Sequence, residues 1–206
     1  MEEKRRIGDY TIILEVDIGD NEIVVGENHI SPEGEKYICG YVSYEGGLFE
    51  RITDAMGSDS YPDILTVFGE RVSEKAEEVQ RMIEKERDEL GGDKVIHGID
   101  CNMISDGDDL EDKVVVLKES ILRPEYRRSS YQLMLCTGGF GSKPYARGTT
   151  CFCTRLYDNF NTAWKRHHVL GIMPEDKLPD WAKIRLAEIR GGRSERQRSK
   201  DTAEER

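Results

Sequence analysis

The sequence predicts an α+β fold, with an N-terminal antiparallel meander with a long helix, then a second small antiparallel sheet with a C-terminal helix. Three observations predict it. Residues 11–18 alternate apolar and polar side chains, the period of a strand with one wet face. Residues 72–90 repeat apolar positions at helical spacing. Residues 113–172 return to short β-branched and aromatic runs broken by glycine and proline.

In the first strand Ile12, Leu14, Val16 and Ile18 are expected on one face and Thr11, Glu15 and Asp17 on the other. Gly19-Asp-Asn21 supplies turn residues, so Ile23-Val-Val25 opens the second arm of a hairpin. His29 to Gly34 reads as a loop, Tyr37 to Tyr44 as a third strand and Gly46-Gly47 as its stop. Residues 48–56 read as a short helix. Ser60-Tyr-Pro-Asp63 carries a capping residue and a first-turn proline. The long helix follows, with Val72, Ala76, Val79, Ile83 and Leu90 on one face and a solvated charged face opposite, and Gly91-Gly92 ends it.

Beyond it, 113–118, 131–136, 151–157 and 162–172 read as strands, with 123–128 as a basic connector and 137–150 as a glycine-bearing loop. Residues 179–190 form a helix with Leu178, Ala182, Leu186 and Ile189 on one face. After Gly191-Gly192 only Ala203 is apolar, so the tail has nothing to bury and is expected to be disordered. The expected organisation is 1–92, 93–190 and a tail over 191–206.

The 206 residues hold 37% hydrophobic and 34% charged side chains, with a net charge of −11. No apolar run reaches the roughly 20 residues of a membrane span. No apolar signal segment follows the charged start, so a cytoplasmic protein with no membrane partner is expected. The charge is uneven: residues 1–120 carry 31 acidic against 13 basic side chains, whereas 121–206 carry 10 against 17. An acidic half repels nucleic acid and attracts basic surfaces, and a basic half can touch phosphates.

Five cysteines, an odd count, argue against a disulfide framework. Cys151 and Cys153 share a strand face, and Cys136 joins them if the 131–136 and 151–157 strands pair. His167 or His168 would complete a four-ligand zinc site, but the Cys-x-x-Cys loop of common zinc modules is missing. The thiols are therefore read as small core residues, with no metal and no cofactor. Asp100, Asn102, Asp108 and Glu111 fall at positions one, three, nine and twelve of a calcium loop. Ile104 and Ser105 then replace a ligand and the obligatory glycine, so an acidic surface loop is the better reading.

Gly138-Gly-Phe-Gly141 with Lys143 and Arg147 has the composition of a phosphate cradle but not the pattern of a nucleotide loop, and a tight hairpin loop explains it as well. Lys143, Arg147, Arg155, Lys165 and Arg166 interleave with Tyr145, Tyr157 and Trp164, a mixture that binds single strands by charge and stacking, or that describes a wet sheet face. Nucleophile-elbow, zinc-protease and deaminase motifs are missing, and the adjacent His167 and His168 are expected to point to opposite sides of a strand. No catalytic residue is assigned.

Two blocks carry a family likeness. One comprises Asp9-Tyr-Thr-Ile-Ile, Ile18-Gly-Asp-Asn-Glu-Ile-Val-Val-Gly-Glu27 and Phe68-Gly-Glu-Arg-Val72. The other comprises Leu122-Arg-Pro-Glu-Tyr-Arg127, Leu135-Cys-Thr-Gly-Gly-Phe-Gly141, Ala146-Arg-Gly-Thr-Thr-Cys-Phe-Cys-Thr154 and Leu178-Pro-Asp-Trp-Ala182. Together they resemble uncharacterised modules in accessory proteins of conjugative elements and phages of gut Firmicutes, across most of residues 9–190. The resemblance implies an accessory protein directed against host defence, an inhibitor of the anti-CRISPR or antirestriction type that blocks a nuclease by protein binding. In that reading Asp106, Asp108, Asp109 and Glu111 bind a basic partner surface. The alternative is a nucleic-acid-binding accessory module using residues 121–190 and the five cations above. A hydrolase or transferase has no sequence support.

Overall fold

The computed structural model describes residues 4–30, 35–45 and 49–204, with side chains as far as Arg193. It divides into two compact units, residues 1–85 and 86–206, so the division falls within the last turn of the long helix rather than after Gly92. The fold class is α+β, as the sequence predicts. None of the helices among the described residues is long and apolar enough to cross a membrane.

The first unit is an antiparallel sheet of β1 (Arg6–Ile7), β2 (Tyr10–Ile18), β3 (Asn21–Glu27), β4 (Tyr37–Glu45) and β5 (Phe49–Ser58), in that spatial order, followed by α1 (Tyr61–Glu89). The sheet curls until β1 meets β5. Arg5, just before β1, spans the curl: its guanidinium grips Glu50 of β5 at 2.8 and 3.1 Å and also reaches Glu15 and Glu22. Curling buries both sheet faces. Ile23, Val24 and Val25 are all fully buried although neighbours along a strand point oppositely.

A bulge in β2 corrects the expected single face. The register passes from Ile12 opposite Gly26 to Leu14 opposite Val25, leaving Ile13 as the extra residue. Ile12 therefore joins Ile7 and Val24 inside the curl, while Leu14 and Ile18 join Ile23, Val25 and Cys39 beneath α1. Residues 49–56 also differ from expectation, being strand rather than helix. β4 offers them a ladder from Tyr37 to Glu45, and a second bulge places Asp54 at φ 50°. Gly40 makes that bulge close: a Cβ there would lie 2.3 Å from Ile52 and 2.8 Å from the Thr53 carbonyl. The expected stop at 46–47 and most of the 29–34 loop lie outside the described residues.

α1 begins where the capping signal puts it, the Ser60 hydroxyl accepting from the Asp63 amide at 3.4 Å. Ile64, Val67, Phe68 and Val72 cover the sheet. Arg71, read as part of a solvated face, is buried instead. It donates to the Cys39 and Asp54 carbonyls at 3.2 and 2.6 Å and lies over the Tyr41 ring.

The second unit is a six-stranded antiparallel sheet ordered β10-β9-β8-β7-β11-β6. Its strands are β6 (Asn102–Met103), β7 (Val114–Leu117), β8 (Leu133–Gly138), β9 (Thr150–Arg155), β10 (Asn161–Lys165) and β11 (Val169–Ile172). The expected single strand over 162–172 is two, split by a 3-10 turn at Arg166–His168 that sends β11 to the far side of β7. That turn also corrects the histidines, whose rings meet at 4.5 Å rather than diverging. Tyr131 and Gln132 belong to a single helical turn, α2 (Ser129–Gln132), before β8 starts.

α3 (Asp180–Glu204) packs Ala182 and Leu186 on one sheet face, over Val114, Val116, Leu133 and Leu135. Its backbone continues past Gly191-Gly192, where the sequence predicts a disordered tail. Those glycines do not take the left-handed turn that ends helices, and Arg, Glu, Gln and Lys beyond them are good helix formers. The opposite face buries Val115, Leu117, Met134, Cys136, Cys151 and Cys153 beneath Leu110, Ile104 and Ile121.

A buried ionic cluster anchors the entry to β8. Arg128 pairs with Glu86 and, at 3.1 Å, with Asp93, and it donates to the Glu125 carbonyl at 2.5 Å. Asp93 also accepts from both Ser129 and Ser130 hydroxyls. The sequence reading places Glu86 on a solvated face and Arg128 in a basic connector, yet they are only 7% and 5% exposed. Replacing Arg128 with Met would leave two buried carboxylates without their cation. The expected loss is about 3–5 kcal/mol, read as a lower urea midpoint. A loss under about 1 kcal/mol would mean that water replaces the guanidinium.

Candidate functional site

The two loops that the sequence singles out, 100–111 and 137–150, meet through residues 105–111 and 141–149 on the thiol-bearing side of the second unit, and Arg166 joins them. Its guanidinium donates to the Ser105 and Asp108 carbonyls at 2.7 and 2.8 Å and to the Gly141 carbonyl at 2.7 Å. Its own amide donates to the Thr149 carbonyl at 2.6 Å. The 3-10 turn beginning at Arg166 aims the side chain along this seam. Further ties run directly between the loops. The Leu110 amide donates to the Ser142 carbonyl and the Tyr145 amide to the Asp106 carbonyl, each at 2.8 Å, and Lys143 pairs with Glu111 and Asp109.

Each loop is also braced internally. Asp108 accepts from the amide and hydroxyl of Ser105 at 2.6 and 2.9 Å, which holds its carboxyl below the usual range. Asp109 caps the Glu111 amide at 2.9 Å, with the same effect. Asp100 caps the His97 amide at 2.8 Å. Asp100 and Asp108 thus serve separate backbone turns and Glu111 pairs with Lys143, so the carboxylates of the apparent calcium loop do not converge. In the glycine loop, a Cβ on Gly139 or Gly141 would fall 2.5 or 2.4 Å from the Thr150 or Thr149 carbonyl. The Gly141 amide is spent on Thr150 at 2.7 Å. These glycines allow close backbone packing, which matches the hairpin-loop reading rather than a cradle of free amides.

The frame displays two large aromatic rings. Phe140 and Tyr145 are each 81% exposed. Gly148 leaves the space that the Phe140 side chain occupies, since a Cβ there would come within 2.5 Å of it. Tyr145 takes φ 50°, uncommon for a bulky residue, and its ring lies near Gly107. Glycine-flanked Phe140 was legible in the sequence as a loop aromatic, but nothing there marked it as exposed.

The five candidate cations have different fates. Lys143 is paired with the acidic loop, and Arg166 is spent on carbonyls. Arg155 forms a two-point pair with Asp158 and stacks over Tyr131 at 4.5 Å. Arg147 and Lys165 are exposed, with no ion pair to a described residue. Of the four candidate acids, Asp108, Asp109 and Glu111 are tied as described, and Asp106 is exposed. The described residues include no group of three or more His, Cys, Asp or Glu side chains placed to hold a metal ion.

Beneath the frame lie Trp164 and His168, with rings 5.8 Å apart. Burial, with His167 and Lys165 nearby, pushes the His168 pKa down. The unfolded chain therefore takes up a proton near pH 6.5 before the folded one does, and stability falls as pH drops from 7 towards 5. His168→Gln should flatten that slope in unfolding measurements across the window; an unchanged slope would exonerate His168. Arg166→Met removes donor bonds worth about 1.5–3 kcal/mol each. Amide exchange at Leu110, Gly141 and Tyr145 should then accelerate at least tenfold, and unaltered protection would show that the loops hold without it.

No protein-family model matches the chain, and neither a curated protein nor a solved structure matches it.

Proposed function

We propose that this protein works by binding another protein, with the Arg166-braced loop frame as the contact surface and Phe140 and Tyr145 as its anchors. The carrying observation is the pair of exposed rings on a frame fixed by hydrogen bonds at 2.6–2.8 Å. A loop backbone fixed before contact avoids part of the entropy that association costs, and aromatic residues ringed by polar groups are the usual centres of binding energy. The mixed rim of Asp106 and Arg147 suits a protein surface.

The nucleic-acid reading is less well supported. Three of its five cations are engaged within the fold. The charge also divides differently once the units are known: residues 1–85 hold 20 acidic and 9 basic side chains, whereas 86–206 hold 21 of each. The unit bearing the frame has no net positive charge to draw in a polyanion, and the acidic unit favours a partner with a basic surface. The resemblance to mobile-element accessory modules directs the partner class to a host defence nuclease, blocked in the anti-CRISPR or antirestriction manner.

A phage or plasmid protection assay against a panel of defence nucleases tests this reading. The expected result is protection that needs a stoichiometric amount of protein and is lost in the Phe140→Ala, Tyr145→Ala double variant with an unchanged thermal transition. Truncating two anchors typically costs about 2 kcal/mol or more each, so affinity should fall several-hundredfold or further. No protection across the panel, or a salt-dependent shift of free DNA by the wild type, would overturn it.

A further inference from the structure

We propose that Cys136 and Cys153 form a redox-modification site, closing to a cross-strand disulfide when hydrogen peroxide reaches them. The two residues face each other directly across β8 and β9. The backbone of Cys136 turns both polar groups away from β9: its amide donates to the Lys113 carbonyl and its carbonyl accepts from the Asp112 amide, each at 2.9 Å. The pair is therefore of the non-hydrogen-bonded kind, in which opposed Cα atoms approach to about 4.5 Å and side chains come nearest. That separation falls at the short end of the range that a disulfide spans. Cys151, two residues along on the same face, completes a cluster of three thiols that are all free and buried.

The cluster has a built-in asymmetry. The neighbouring thiols push the Cys136 pKa down and those of Cys151 and Cys153 up, while the Cys136 and Cys153 thiols donate to the Gly138 and Cys151 carbonyls at 3.9 and 3.8 Å. In the first step the Cys136 sulfur attacks one peroxide oxygen. The O–O bond breaks, hydroxide leaves and takes the thiol proton as water, and Cys136 becomes a sulfenic acid. The Cys153 sulfur then attacks the Cys136 sulfur, the S–O bond breaks, and the second hydroxide leaves as water with the Cys153 proton. Two thiols lose two electrons and the peroxide gains them.

The thiols are covered by the same frame that displays the aromatic rings. Leu110 and Ile104 pack on the cluster, and Asp109 and Arg166 lie near enough to influence Cys136 and Cys151. Access for the oxidant therefore depends on loop opening, so Arg166→Met should form the link faster than wild type.

The full chain is treated with hydrogen peroxide at neutral pH, quenched with N-ethylmaleimide in denaturant so that every remaining buried thiol reacts, and analysed by intact mass and peptide mapping. The expected result is a loss of two hydrogens in mass, alkylation of three of the five cysteines and a Cys136–Cys153 crosslink. Cys151→Ala should keep the link and Cys136→Ala should abolish it. The wild-type map decides the pairing even if a variant fails to fold. Five alkylated cysteines, a link involving Cys39 or Cys101, or the same pattern and rate in urea would each overturn the proposal.

Discussion

The guanidinium of Arg166 is the constraint on which the candidate site depends. It sits at the junction of two loops that are distant in sequence, and it satisfies carbonyls from both that would otherwise compete for water. A single planar cation with several donors can do this where separate hydroxyls could not, because its fork fixes the directions of the bonds it makes. Arg128 and Arg71 repeat the device elsewhere. Each is buried, and each draws together chain segments that regular pairing leaves apart. Arginine thus stitches the fold at these points, as Arg5 does across the curl of the first sheet, and the apolar cores fill the space between.

The elements that were legible in the sequence are those whose signal is local. The alternation of β2, the cap at Ser60 and the apolar face of α3 around Ala182 each depend on spacing alone. What was not legible depends on partners remote in the chain. Residues 49–56 become strand because β4 presents a ladder. Ile12 changes faces because one residue is extra opposite β3, and periodicity cannot report a bulge. The continuous run over 162–172 breaks because β11 pairs with β7 instead of continuing along β9.

The site was legible in parts. Charge and composition marked Asp106 to Glu111 and Lys143 to Arg166 as two separate surfaces of opposite sign. In the folded chain they neutralise and brace one another, so the electrostatic signal that made them conspicuous largely cancels. The rings of Phe140 and Tyr145 are exposed on the braced loops, and an exposed ring looks in sequence like any other aromatic. Three cysteines read as core are core, and only the strand register and hydrogen-bond polarity reveal that two of them face one another.

The division of charge bears on how the molecule behaves as a solute. At neutral pH residues 86–206 carry equal numbers of acidic and basic groups, so that segment sits close to its own isoelectric point. A chain near zero charge has little electrostatic repulsion from its own copies and tends to associate. Colloidal stability for the whole protein is supplied by residues 1–85, whose carboxylates keep copies apart. A truncated 86–206 fragment would retain its aromatic frame and lose this repulsion, making it prone to precipitate at concentrations the full chain tolerates.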